Sequence, residues 1–351
     1  MFIGNYMAGD ALYNIRIGRY GIEASFRFIC DNDVVATHCR HYNIFSKEKP
    51  GYHLGTGGKI RIQLRENGEH NTPSDNVLVE TVIYKPLESG YFPLTKFNTP
   101  CQLRRGQIYH LVFKNLDAEP DKNHVSVNCM SVFGQNQPFI RDKDLSVLFK
   151  SRYNSWTNFD TAKLVPIFTL YNDSVPVVGY GGVESWVREP RQISGKKKVR
   201  ERFSVKADST VTKISVRLGK HGSPGELKIS LLDSKNILSS CRIPPDKVPT
   251  ILTDLHPGFG LGHNWVSATL DKPIKLKSGE AYFITLDSGK SPLGEYEVFP
   301  IRDGGPLGFI SLWPDSYAEY TLDGKTWQGW DAWGNPNQKI GKLQVCLTAD
   351  K

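Results

Sequence analysis

The sequence predicts an all-β chain made of two similar halves, and three observations lead there. Short runs alternate apolar and polar residues: Lys59–Leu64 (K-I-R-I-Q-L), Thr212–Leu218 (T-K-I-S-V-R-L), Glu226–Leu232 and Ala281–Leu286. Such alternation marks strands with one face buried. Gly (32) and Pro (21) are scattered through the 351 residues, as many tight turns require, and few windows combine a 3.6-residue apolar period with helix caps. Finally, the chain nearly repeats itself. Thr99–Phe113 reads T-P-C-Q-L-R-R-G-Q-I-Y-H-L-V-F, and Lys272–Leu286 reads K-P-I-K-L-K-S-G-E-A-Y-F-I-T-L. Pro100 matches Pro273, Leu103 matches Leu276, Gly106 matches Gly279 and Tyr109 matches Tyr282. Upstream, Gly58–Leu64 matches Gly225–Leu231, and Phe26 pairs more weakly with Phe203, each beside an Arg. The offset of roughly 170 residues is too long for a solenoid and fits a duplicated domain.

The expected architecture is two tandem antiparallel β-sandwich domains, jelly-roll-like, from a duplication. The first covers 1–185, with Asn14–Phe28 supplying its first strand. In each domain the L-x-x-G-x-x-Y motif is the turn into a late core strand: Gly106 and Gly279 make the turn, and Tyr109 and Tyr282 pack inward. Residues 186–198 read as a basic linker. Between Arg188 and Arg202 lie seven basic residues against Glu189 and Glu201, so most of the net charge of +8 sits there. A solvated linker is the expectation, with a phosphate- or acidic-polysaccharide-binding patch as the alternative. The second domain covers 199–351 and ends in an aromatic loop.

Hydrophobic content of 39% and charged content of 23% are globular values. No run of about 18 apolar residues is present, so no membrane insertion is expected. The first ten residues show no basic segment and no apolar segment of a signal peptide. Cysteines stand at 30, 39, 101, 129, 241 and 346 with no C-x-x-C, which argues against zinc ribbons and thioredoxin-type sites. Cys30 with Cys39, and Cys101 with Cys129, are possible bridges; buried free thiols are the simpler reading.

The second half resembles a β-sandwich module of bacterial extracellular proteins, often appended to carbohydrate-active enzymes. The residues that carry the likeness are Val199–Val205 (V-R-E-R-F-S-V), Ile214–Lys220, Pro224–Leu231, Trp265–Leu270, Leu276–Phe283 and the ending Trp327–Trp333 (W-Q-G-W-D-A-W). The first half looks like a diverged sister, with landmarks Ile15–Arg27, Tyr109–Phe113 and Val125–Asn128. The resemblance implies glycan contact by analogy; fold alone does not establish it.

The most informative local feature is the aromatic C-terminal segment. Trp313, Tyr317, Tyr320, Trp327, Trp330 and Trp333 fall within about twenty residues, and in a strand residues three apart point to opposite faces. Gly329, Gly334 and Pro336 favour a loop there. Indoles on a loop offer flat apolar faces to a pyranose, while Asp331, Arg302 and their neighbours hydrogen-bond hydroxyls. The competing reading has the indoles plugging one end of the sandwich. The first half has a thinner counterpart in Arg152, Tyr153 and Trp156, with Trp156 matching Trp327 in the repeat. Two working sites would make the protein bivalent.

Catalytic motifs are weak. G-x-S-x-G and H-E-x-x-H are absent, and His53–Ile60 (H-L-G-T-G-G-K-I) lacks the spacing and the Ser/Thr of a phosphate loop. Glu295, Glu297, Asp303, Asp315 and Asp331 could pair for glycoside hydrolysis, and His110, His124, Tyr109, Arg141, His263 and Arg302 could serve a lyase, but no spacing singles them out. Asp31–Asp33 and Asp142 with Asp144 are oxygen-rich turns that offer ligands of the kind a structural Ca²⁺ takes, though without the spacing of a dedicated loop, and a plain Asx turn explains each. The expectation is therefore a non-catalytic, lectin-like protein outside the cytoplasm or on a cell or virion surface. Its partner is a glycan or polysaccharide; no specific nucleic acid and no cofactor are expected. The alternatives are an adhesion or assembly protein that forms homo-oligomers or a larger surface array, and a glycoside hydrolase or polysaccharide lyase with an inter-domain site.

Overall fold

The computed structural model describes residues 2–5, 11–30, 32–44, 52–90, 92–132, 145–158, 163–180, 190–205, 207–251, 263–289, 293–298, 300–302, 315–330 and 341–349. The protein is all-β: its strands form several antiparallel sheets, and the only helical elements among the described residues are three short 3₁₀ turns. Among the described residues no helix is long and apolar enough to cross a membrane. Two compact units are present. One comprises Ala8–Phe133 and Ile140–Val183; the other comprises Glu184–Lys351 together with the strand Phe2–Asn5.

Each unit is built on a six-stranded sheet. In the first unit its order is Asn154–Asn158, Ser146–Ser151, Glu23–Ile29, Ile108–Asn115, Lys59–Asn67, Pro73–Tyr84. In the second it is Gln328–Gly329, Tyr317–Thr321, Lys198–Ser204, Ala281–Ser288, Leu227–Leu232, Ile237–Ile243. Position by position, the two orders agree in chain sequence. Beside it the first unit has a four-stranded sheet, Val175–Tyr180, Phe168–Asn172, Val34–His41, Leu94–Leu103, and the second a further six-stranded one, Phe2–Asn5, Val345–Ala349, Ser209–Gly222, Gly294–Val298, Arg191–Ile193, with Asn264–Leu276 also paired to Ser209–Gly222. The second unit thus fills with Phe2–Asn5 the edge that Val175–Tyr180 fills in the first, Phe2 lying opposite Thr348.

The cores follow from the period of two. Along Lys198–Ser204 and Ala281–Ser288 burial alternates strictly, so Val199, Phe203, Tyr282, Ile284 and Leu286 enter the core while Lys198, Arg200, Arg202, Phe283 and Asp287 face outward. In the first unit Phe28 of the six-stranded sheet meets Phe168 of the facing sheet, ring centroids 5.0 Å apart, and Phe26 packs edge-on to Phe113 at 4.9 Å.

The Gly–Tyr turns form in both halves. Gly106 and Gly279 sit at φ 77° and 78°, the left-handed region that L side chains avoid. Tyr109 and Tyr282 are buried, and each hydroxyl accepts the backbone N–H five residues earlier, from Arg104 at 2.9 Å and Lys277 at 2.8 Å. The core partner of Tyr282 is Phe203, directly opposite it across the ladder; that of Tyr109 is Phe28, not Phe26. Phe26 and Phe28 share a face, so the flanking Arg misleads the alignment by one strand period.

Within the stretch expected as a basic linker, Arg191–Ile193 is a strand paired with Gly294–Val298, and a turn at Ser194–Lys197 leads directly into Lys198–Ser204. Arg188 lies outside the described residues. All six cysteines are buried and free, so neither the Cys30–Cys39 nor the Cys101–Cys129 bridge forms.

Candidate functional site

The aromatic segment separates into two environments. Trp330 is fully buried; its backbone N–H donates to Ala318 and its carbonyl accepts from Gly341, which fixes it inside the sandwich. The Arg191 guanidinium lies 4.2 Å from the Tyr320 ring centroid and 6.0 Å from that of Trp330. Trp330 as positioned offers no face to a ligand.

Trp327 is only partly buried and belongs to the opposite, solvent face. The Arg200 guanidinium lies 4.1 Å from its ring centroid and 5.0 Å from that of Phe283. Arg200 is held there by Glu319, whose Oε2 accepts from Nε and Nη2 at 2.7 Å each. The neighbouring outward residues continue the pattern: Lys198 pairs with Asp287 at 2.6 Å, and Arg202 lies 5.6 Å from the Tyr317 ring. Aromatic faces, cations and carboxylates therefore interleave across three strands. Flat apolar surface beside fixed hydrogen-bonding groups is the division of labour that recognises a ring bearing hydroxyls.

The turn before Trp327 is fixed by Asp323. Its Oδ1 accepts from Lys325 N at 2.8 Å, Thr326 N at 2.7 Å and Thr321 Oγ1 at 2.9 Å, and its Oδ2 accepts from Thr326 Oγ1 at 2.9 Å. These hydrogen bonds, the backbone ones first, hold its carboxyl well below the usual range. Asp323 was not singled out in the sequence. D-G-K-T ahead of a tryptophan carries the signal of an Asx turn. Arg200, Glu319 and Phe283 were not singled out either, because only strand register brings them to Trp327.

Trp313, Asp331 and Trp333 lie outside the described residues, as do Asp31, Arg141, Asp142 and Asp144; the backbone of Arg302 pairs with Gly341. Tyr320 is brought to Arg191 and Gln328, to whose Oε1 its hydroxyl donates at 2.9 Å. In the first unit Trp156 is partly buried on the strand that corresponds in sheet order to Gln328–Gly329, with Lys150 Nζ 5.1 Å from its ring centroid. Arg152 and Tyr153 come together at 5.9 Å in the preceding turn, and Arg152 pairs with Asp121 at 2.6 Å.

Of the lyase and hydrolase candidates, the described residues bring His263 and Glu297 together, while His110 lies elsewhere. His110 is buried between Ser25 and Asn67, and His263 is buried 3.5 Å from Glu297, which His221 meets at 3.3 Å. Among the described residues no group of three or more His, Cys, Asp and Glu could hold a metal ion. Comparison with family models, with curated proteins and with solved structures returns no match.

Proposed function

We propose that this protein binds glycans through the surface around Trp327, outside the cytoplasm or on a cell or virion surface, and that its two units are jelly-roll-like sandwiches derived from one duplicated domain. The observation that carries the reading is a partly exposed indole on the solvent face of a sheet, fixed by the Asp323 turn and flanked by the Glu319-bound guanidinium of Arg200. Such a surface is preorganised, so little conformational freedom remains to be lost when a sugar stacks. The identical order of the two six-stranded sheets and the matching Gly–Tyr turns support duplication. Trp156 beneath Lys150 supports a weaker second surface of the same kind.

The test is a glycan array probed with the protein and with Trp327→Ala, folding being checked by circular dichroism. Binding to a defined set of glycans, lost in the folded variant, is expected. Absence of binding to every glycan, or binding unchanged in Trp327→Ala, would refute the proposal.

A further inference from the structure

The first unit holds a cleft that the Trp327 surface does not involve. Its volume is about 410 Å³, and Tyr13, Arg16, Arg19, Tyr20 and Phe149 line it. Arg16 sits on the strand Ala11–Ile17, opposite Ser126; Arg19 and Tyr20 follow in the tight turn Arg19–Gly21. That turn is costly to make. Tyr20 adopts φ 56°, and Gly18 at φ 103° packs so closely on Asn115 that a Cβ there would lie 2.5 Å from its Nδ2. Non-glycine residues in the left-handed region persist only where the surroundings hold them, and they concentrate at binding sites. Here the Tyr20 N–H donates to Asp121 Oδ1 at 2.6 Å, and the Tyr20 carbonyl accepts from Arg152 N at 3.2 Å.

Among the described residues the cationic side of the cleft carries no ion pair of its own. Neither Arg16 nor Arg19 has a carboxylate partner among the described residues. Asp121, which anchors the turn, is already engaged by the Tyr20 N–H and by Arg152 Nη2 at 2.6 Å. Arg19 Nη2 instead donates to Tyr20 Oη at 3.3 Å, and the guanidinium lies 5.0 Å from the Tyr20 ring. Burial, then the charges of Arg19 and Arg16, depress the basicity of His124 nearby. Two guanidinium forks beside aromatic walls match an oxyanion carried on a ring, because Arg binds carboxylate and sulfate bidentately while the rings cover apolar C–H surface.

We propose that this cleft binds the carboxylate or sulfate group of an acidic saccharide. The saccharide part of the assignment rests on the glycan reading; the oxyanion part does not. The experiment is a calorimetric titration at low ionic strength with a uronate tetrasaccharide, a sulfated tetrasaccharide, a neutral tetrasaccharide and inorganic sulfate. The protein, Arg16→Gln, Arg19→Gln, Arg19→Lys and Trp327→Ala are compared. At least one acidic tetrasaccharide is expected to bind at least about tenfold more tightly than the neutral one, and which of the two does so identifies the group. Arg16→Gln and Arg19→Gln are each expected to lose about tenfold or more, as loss of a charged hydrogen bond implies. Arg19→Lys should recover part of that loss and guards against misfolding as the cause.

Equal affinity for acidic and neutral sugars, or unchanged binding in both Gln variants, would overturn the cleft. Inorganic sulfate binding as tightly as the preferred acidic tetrasaccharide would overturn the saccharide part. If Trp327→Ala alone abolishes binding, the glycan reading stands and the cleft falls. If the Arg variants alone abolish it, the cleft stands and the Trp327 surface does not hold these saccharides.

Discussion

His110 shows how a single buried side chain sets a response to pH. It is completely buried in the first unit, with Nδ1 2.9 Å from Ser25 Oγ and Nε2 2.9 Å from Asn67 Oδ1. A neutral imidazole suits both contacts, the Ser hydroxyl donating to Nδ1 and Nε2–H donating to the Asn carbonyl. Burial, then Arg27 and Arg65, lower its pKa to about 3; burial lowers His41, in the same unit, to about 4. The unfolded chain takes up these protons near pH 6.5. Between those values the unfolded state binds more protons, so the stability these two histidines contribute, fully present above pH 6.5, is lost as pH falls towards 3. The melting temperature of this unit, followed by calorimetry from pH 7 to pH 4, is therefore expected to drop, and less steeply in His110→Gln. A flat profile would contradict the assignment. The thiols make a second case at this scale. Burial pushes Cys39 up to about 12 and Cys101 and Cys241 up to about 11, and all six cysteines are buried. A disulfide-exchange dye should react with none of the six in the native protein and with all six in denaturant.

At the scale of the element, the Gly–Tyr turn is the unit that recurs. Gly279 has nothing within 4 Å of where a Cβ would stand, so substitution there tests backbone conformation without steric clash. Gly279→Ala is expected to destabilise the second unit by about 1–2 kcal/mol, the cost of a left-handed L residue, and Gly106→Ala the first unit by a similar amount. Urea melts of both variants measure this, and an unchanged midpoint would exclude the conformational explanation. This turn was legible in the sequence because it obeys local rules: a glycine for positive φ, then an inward aromatic at fixed spacing. Strand alternation in Lys59–Leu64 and Ala281–Leu286 was legible for the same reason. The split of Trp327 from Trp330 was half legible, since residues three apart in extended chain face opposite ways. Which indole faced outward was not legible. Nor was the Arg200–Trp327 contact, because it depends on Arg200 and Glu319 lying opposite each other across two strands distant in sequence.

At the scale of the whole molecule, the basic run from Arg191 onward belongs to folded structure. Lys198, Arg200 and Arg202 are outward residues of a central strand, paired to Asp287 and Glu319 or lying over aromatic rings, so they form part of a patterned surface. In the sequence Arg191 to Lys198 reads as a connection because its short strand, three residues long, carries too few positions to show a period. The placement of Phe2–Asn5 was also hidden, since nothing local ties these residues to Val345–Ala349. Removing residues 1–7 should expose the edge of Val345–Ala349, lower the unfolding midpoint of the second unit and promote self-association, because an unpaired strand edge recruits other strands. Sedimentation and thermal melts of the truncated protein test this; a monomer with unchanged stability would show the strand to be dispensable.

That pairing also imposes an order in time. Phe2–Asn5 leaves the ribosome well ahead of Val345–Ala349, the strand it pairs with. The first unit can close on its own residues while synthesis continues, but the second can seal this edge only after Val345–Ala349 has been made. Until then a nascent strand waits without its partner, so this pairing, the longest in sequence separation among the described strands, forms late relative to the other contacts inside either unit.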